Sequence, residues 1–366
     1  MKNIRILMFA SVAVLAFANS CKKDDNPDTS KYTIYTTGQY YGVGGTFSCY
    51  WKNSERVDVP DLTPDYFDRR EIFVSNGDVY LAGARNISGT QSVTLAPSYW
   101  KNGVRTDLNM GDYTSGSAEY IKVANGKVYT AGKVSKNTGA WYENETKLCY
   151  WINNERTDIT DFPAKFKDTY VSGLFVHGND VYVSGGYAVN VDNVYSSSNL
   201  YHACYWKNGV RTDIPNSSPN TVSSTSIFVD NGKVYVAGWT RYFLEDIREA
   251  WYSVDGQMKI VETGEWGSIS NIFVENGAVY LAGSDASNNA CFWKGTSKTS
   301  IGQRVVIRGM YVRDGIVFTA GWRYEPGIDA SYYPCYWVNT KRVELLFPVK
   351  DNNYKWNNWA LGIFVE

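Results

Sequence analysis

The side chains with the greatest capacity for recognition fall just beyond a recurring Ala-Gly or Gly-Gly pair. Trp239-Thr240-Arg241-Tyr242 follows Ala237-Gly238, Trp322-Arg323-Tyr324 follows Ala320-Gly321, and Tyr187 follows Gly185-Gly186. Indole and phenol rings offer a flat apolar face with a polar edge, and guanidinium groups supply directional donors. Such a set suits stacking on a sugar ring, and it suits a protein epitope equally well. Arg70, Glu119, Tyr170, Arg308 and Trp359, each just ahead of the recurring stretch that ends in this pair, add charge and aromatic surface.

Covalent and metal chemistry has thinner support. The two histidines, His177 and His202, are too scattered for a histidine-rich metal site or a repeated acid–base system. His177 reads as a polar turn residue and His202 as an exposed loop side chain within reach of a ligand. No nucleophile-elbow sequence accompanies His202. Gly42-Val43-Gly44-Gly45 lacks the lysine and the helix of a phosphate loop, and no calcium-loop pattern of alternating acids occurs. No cofactor and no metal site is therefore expected. Cys49, Cys149, Cys204, Cys291 and Cys335 share one repeat position, ahead of an aromatic-Trp pair. Equivalent positions in separate repeats lie far apart, so these cysteines read as small buried residues rather than as disulfide partners.

Two alternating phrases must position all of this. The first is clearest as Ile227-Phe228-Val229-Asp230-Asn231-Gly232-Lys233-Val234-Tyr235-Val236-Ala237-Gly238, and it recurs at 72–83, 121–132, 174–185, 272–283 and 310–321. A further copy is split: Gly362-Ile363-Phe364-Val365 supplies its opening and Tyr32-Thr33-Ile34-Tyr35-Thr36-Thr37-Gly38 its continuation. The second phrase, clearest as Cys204-Tyr205-Trp206-Lys207-Asn208-Gly209, has seven copies centred on Trp51, Trp100, Trp151, Trp206, Trp251, Trp293 and Trp337. Asn-Gly pairs between β-branched and aromatic residues mark each phrase as a β-hairpin. Two hairpins per repeat predict an all-β, seven-bladed β-propeller with four antiparallel strands per blade, its ring closed by pairing the C-terminal strand with the N-terminal strands. Six- or eight-bladed rings and an open solenoid are the alternatives. Complementary split ends argue against the solenoid, which would carry caps.

Strand direction then assigns the faces. Turns joining first to second and third to fourth strands lie on one side of the disc, and these are the short Asn-Gly turns. The long, variable connections, read to include Tyr187, Trp239, Arg241, Trp322 and Arg323, lie on the other side, where function on a rigid scaffold concentrates. Residues just ahead of the innermost strands (Arg70, Glu119, Tyr170, Arg308 and Trp359) should ring the central mouth.

In general appearance the phrases resemble kelch-like propellers, whose Gly-Gly pair is found at the repeated glycine position only as Gly185-Gly186. More closely, residues 32–366 resemble Bacteroidetes-type surface lipoproteins with Tyr-Trp-Lys-Asn-Gly repeats. Neither resemblance carries a defined activity onto particular residues. The N-terminus is similar to a bacterial lipoprotein leader: a basic start, an apolar run from Ile6 to Ala18 too short to span as a normal transmembrane helix, then Ala18 and Ser20 ahead of Cys21. This resemblance implies a signal peptide at 1–20, an acylated Cys21 on a flexible tether at 21–31, and the propeller at 32–366. The protein is then expected at the outer membrane, on the cell surface, held to the membrane only through the lipid on Cys21.

A formal net charge of −1 without basic runs speaks against nucleic acid, and 16% aromatic residues speak against disorder. The expectation is a monomeric, ligand-binding propeller whose long-loop face takes an extracellular glycan, the glycan class resting on the implied address. A protein–protein scaffold on the envelope is the alternative. A hydrolase or lyase with a carboxylate or Tyr/Arg centre in the axial mouth ranks third.

Overall fold

A computed structural model describes residues 27–42, 45–62, 71–87, 94–137, 144–163, 168–189, 200–215, 220–242, 247–326, 331–345 and 358–366. Seven sheets of four strands each form the blades. Blade 1 is the composite one: its innermost strand, Trp359–Val365, comes from the C-terminus and pairs antiparallel with Ile34–Gly42, which continues into Gly45–Lys52 and Glu55–Asp58. Blades 2 to 7 follow in chain order, with innermost strands Ile72–Ser75, Ser115–Ala124, Asp168–His177, Thr221–Asp230, Ser268–Glu275 and Val305–Arg313. The seven-bladed propeller read from the repeats is therefore the observed architecture.

The short turns take the form that their sequence demands. Asn76-Gly77 and Asn231-Gly232 have both central residues at positive φ (52° and 77°, 48° and 76°), which matches the turn to the twist of the two strands. The Asn of the second hairpin has a further task. Asn102 Oδ1 accepts the Val79 N–H at 2.8 Å, and Asn208 Oδ1 accepts that of Val181 at 2.9 Å, so the outer hairpin is clipped to the inner one. The preceding lysines, Lys101 and Lys207, pair with Asp78 and Asp180 at 2.7 and 2.8 Å and lie over the rings of Tyr80 and Tyr182. The Tyr-Trp-Lys-Asn-Gly signature is thus mortar on the short-turn face.

Between blades lie seven hydrophobic clusters, one for each neighbouring pair, including blade 7 against blade 1. Strand alternation explains the division of labour. In Cys204-Tyr205-Trp206, Cys204 and Trp206 project to the cluster shared with blade 3, and Tyr205 to the one shared with blade 5. The seven repeated tryptophans are all at most 2% exposed. Trp100, Trp151 and Trp206 also donate their indole N–H to main-chain carbonyls of the connection from the preceding blade, those of Pro60, Asn109 and Asp161. The five cysteines among the described residues form no disulfide and are buried, as their shared position requires. No helix among the described residues is long and apolar enough to cross a membrane.

Candidate functional site

The innermost strands do not run as regular ladders. Their pairing with the second strand shifts between Ala118 and Tyr120, Val171 and Gly173, Ser224 and Ser226, Ile269 and Asn271, and Ile307 and Gly309. In blade 1 the same shift leaves Leu361 out of register. Each is a β-bulge, which bends the strand and re-aims one side chain. The extra residues are Glu119, Ser172, Thr225, Ser270, Arg308 and Leu361. Arg70, the blade 2 counterpart, lies outside the described residues.

The repeated glycine exists for this bulge. A Cβ on Gly38, Gly132, Gly185, Gly238, Gly283 or Gly321 would sit 1.8–2.1 Å from a carbonyl oxygen of the innermost strand, on Trp359, Ser117, Tyr170, Ser223, Ser268 or Val306. The glycine permits close backbone approach, a different reason from the positive φ of the turns. Gly238→Ala should therefore destabilise the protein by about 1–3 kcal/mol, the usual range for overpacking. Urea unfolding of the variant checks this, and an unchanged midpoint would show that the bulge yields freely.

The bulges divide the mouth into two halves. In blades 4 to 6 the extra residue is a hydroxyl turned on the fold itself. Thr225 Oγ1 lies 3.1 Å from Ala237 O and 3.0 Å from Ile269 O, Ser270 Oγ donates to Ala282 O at 3.1 Å, and Ser172 Oγ is 2.8 Å from Ser224 Oγ. In blades 7, 1 and 3 the position holds Arg308, Leu361 and Glu119, which are charged or bulky. One half is structural and the other is varied.

Below the bulge layer is a central cavity of about 370 Å³ lined by innermost strands from all seven blades. Its wall toward the short-turn face is an aromatic collar: Phe175, Phe228, Phe273, Tyr311, Phe364 and Phe73 follow one another with ring centroids 4.6–5.0 Å apart at five successive contacts. Blade 3 breaks the series with Lys122, whose ammonium lies 5.6 Å from the Phe73 ring and pairs with Glu71. Glu71 also accepts the Ile121 N–H at 2.9 Å.

Three of the expected site residues come together at the varied half of the mouth. The Arg308 guanidinium lies 4.9 Å from the Trp322 ring, and the Trp322 and Trp359 rings are 5.7 Å apart at 34°. Arg308 also lines the cavity, so the group joins the pocket to the long-loop surface. Trp239 and Arg241 form a separate group in blade 5 with Arg248 and Trp266, the Arg248 guanidinium lying 4.3 Å from the Trp239 ring. The other described residues of the expected set also have partners within the fold. Arg323 pairs with Glu344 at 3.1 Å and with Glu325. Glu119 lies 3.9 Å from Lys133. The Tyr170 hydroxyl accepts the Ser224 N–H at 2.9 Å, and burial pushes its ionisation up. Tyr187 is buried, with its ring parallel to that of His202 at 5.2 Å. Burial and then Asp213 push its phenol up to about 12. Neither phenol is a ready base at neutral pH.

Two expectations about placement are corrected. Tyr187, Trp239, Arg241, Trp322 and Arg323 belong to strands rather than loops, because second and third strands keep pairing past the glycine. In blade 5 the ladder runs on from Trp239↔Ala250 to Tyr242↔Ile247. His202 likewise lies in the strand Leu200–Lys207, where burial lowers its pKa. Glu71, Lys122, Arg248 and the collar were not singled out from the sequence. The collar had a signal, the aromatic residue at the second position of every first phrase except Lys122.

Comparison with protein-family models found no match, and comparison with curated proteins found none either. Solved structures do match. An acylaminoacyl peptidase from Pyrococcus horikoshii aligns at TM-score 0.51 and 12% identity over 88% of this chain and 52% of its own. A mutant Trypanosoma rangeli sialidase with trans-sialidase activity aligns at 0.44 and 8%, over 90% and 56%. The polysaccharide lyase Uly1 aligns at 0.49 and 8%, over 90% and 87%. The chain spans about half the length of the first two. At such identities the likeness concerns the fold alone.

Proposed function

We propose that this protein binds a glycan on its long-loop face, with Arg308, Trp322 and Trp359 at the rim of the central cavity as the primary contacts. The observation that carries this reading is the joining of a stacked Arg–Trp–Trp group to a cavity of about 370 Å³, within the range of small-molecule sites. The half-buried Trp359 face stacks on the apolar face of a pyranose, the buried Trp322 backs it, and the guanidinium donates to the sugar hydroxyls. Binding is favoured over catalysis because the described carboxylates of the mouth are committed, Glu71 to Lys122 and Glu119 to Ser117 and Lys133. The finer expectations belong to the same reading: a Bacteroidetes-type lipoprotein, acylated on Cys21 after removal of residues 1–20, tethered through 21–31 and displayed as a monomer on the cell surface. Glu119, Tyr170, Tyr187 and Arg323 surround or support the contact surface in this proposal.

The test is a thermal-shift screen of residues 31–366 against soluble polysaccharides and oligosaccharides, with reducing-end release followed in the same wells. A ligand at about 100 times its Kd raises stability by about 2.7 kcal/mol, a visible shift. Trp359→Ala, whose ring is only half-buried, should then weaken binding by roughly tenfold, about 1.4 kcal/mol, in calorimetry. Product release in the wells would instead establish a glycan-cleaving enzyme. Silence across the panel would favour the protein scaffold.

A further inference from the structure

The chain enters the propeller at a clamped point. Residues 28–32 form a small turn, in which the Ser30 N–H donates to Asp28 Oδ1 and the Tyr32 N–H to Thr29 O, both at 3.0 Å. Tyr32 is 7% exposed, with its ring edge-on to Phe318 of blade 7 at 5.6 Å. Its hydroxyl donates to Asp314 Oδ2 at 2.7 Å, and the Lys31 ammonium reaches the same oxygen at 3.1 Å. Asp314 and Gly315, both at positive φ, make the inner short turn of blade 7. Glu275 of blade 6 accepts both of their main-chain N–H groups, at 2.8 and 2.7 Å. The entry point is thereby fixed on the short-turn face, beside the two inner strands rather than at the rim.

Chain length then limits what a lipid on Cys21 can reach. Cys21 stands seven positions ahead of Asp28, where the clamped turn begins. Fully extended, that stretch spans at most about 25 Å, at roughly 3.3–3.6 Å per residue. Inner strands such as Thr221–Asp230 are 10 residues long. The disc is therefore about 30 Å thick, from a rise of roughly 3.3 Å per residue. A path from the clamp over the rim also crosses the two outer strands of blade 1, Gly45–Lys52 and Glu55–Asp58. They add about 10 Å at a strand spacing of roughly 4.8 Å. The long-loop face thus lies well beyond the reach of the tether, whereas the short-turn face lies within it.

We propose that the clamp and the short tether turn the short-turn face toward a lipid bilayer, so that this face is the membrane-apposed surface and the mouth points away from it. The inference rests on the anchored reading of Cys21 and adds an orientation to it. Arg308, Trp322 and Trp359 then stand about one disc thickness above the short-turn face. A polymer arriving from outside meets them without passing the lipid surface. Had the chain entered on the long-loop side, the same tether would have pressed the mouth against the membrane.

Resonance energy transfer tests it on the full chain, purified from the membranes of an expressing bacterium and placed in phosphatidylcholine vesicles with acceptor-labelled headgroups. The donor is attached through Lys233→Cys, in the inner short turn of blade 5, or through Ser287→Cys, in the long-loop connection 285–289 of blade 6. Both positions are exposed, and the cysteines among the described residues are buried from the label. The expected result is at least twofold more transfer from position 233 than from position 287. Insertion of about twenty Gly and Ser residues after Asn26 gives a flexible linker that can pass the rim, and it should bring the two values together. Equal transfer, or more from position 287, in protein whose flotation with the vesicles requires Cys21 overturns the orientation and leaves the anchor standing. A difference unchanged by the insertion shows that the tether does not set the orientation, and it overturns the proposal as well. Flotation that survives Cys21→Ser overturns the anchored reading, and the orientation falls with it.

Discussion

Removal of residues 358–366 is expected to abolish the cooperative fold. The strand Trp359–Val365 forms the inner edge of blade 1 and pairs with Ile34–Gly42. Its far end is sealed by a reciprocal pair of main-chain hydrogen bonds between Thr33 and Glu366, both 3.0 Å. Leu361, Ile363 and Val365 are each at most 7% exposed, and Phe364 fills the collar between Tyr311 and Phe73. At about 1.5–3 kcal/mol for each buried side chain, the loss is on the order of 6–12 kcal/mol. That is comparable with the whole stability of an ordinary domain, about 5–15 kcal/mol. The first strand would also be left as an open edge next to an exposed cluster, a template for aggregation. The measurement is thermal unfolding by circular dichroism, with and without a synthetic peptide of residues 358–366. Loss of the transition with recovery on adding the peptide is the expected outcome. A truncated chain that unfolds cooperatively at the original midpoint would show that six blades hold the ring unaided.

The second large effect is expected at Trp206. Its side chain is 0% exposed, packs among Leu148, Ile159, Leu174 and Val183, and stands against the Phe162 ring at 5.4 Å. Its indole N–H donates to Asp161 O at 3.1 Å. Trp206→Ala removes the largest member of the cluster between blades 3 and 4, leaves a cavity, and removes one of the two hydrogen bonds to that carbonyl, the other coming from Arg211 at 3.2 Å. A cost of about 3–5 kcal/mol follows from buried aromatic truncations. The same change at Trp293 removes no such bond, since its indole N–H has no partner among the described residues. Trp206→Ala should therefore cost more than Trp293→Ala by about 1 kcal/mol, the net value of one hydrogen bond. Urea unfolding of both variants measures the difference, and equal losses would mean that packing alone sets the role of the repeated tryptophan.

These two effects show why the architecture was readable from residue types. A buried Trp in each second phrase, tight turns rich in Asn and Gly and complementary ends are local or periodic features, and each forces one geometric consequence. The site is legible only in part. Arg308, Trp322 and Trp359 could be chosen as residues near the mouth, but Glu119, Tyr170, Tyr187 and Arg323 looked equivalent and prove to be engaged by Lys133, Ser224, His202 and Glu344. Their partners lie on other strands or in other blades, where sequence period carries no information about contact.

By itself, then, the sequence determined seven blades, their closure, the short-turn face and the buried side of each strand. Alternation and turn chemistry act over a few residues and are written in the chain. The tertiary structure alone decided that every described innermost strand but one carries a bulge, that the repeated glycine exists to admit it, and that the extra residues divide the mouth into a hydroxyl half and a varied half. Register shifts and cross-strand neighbours depend on how strands from distant parts of the chain meet, and that is settled only when the ring closes.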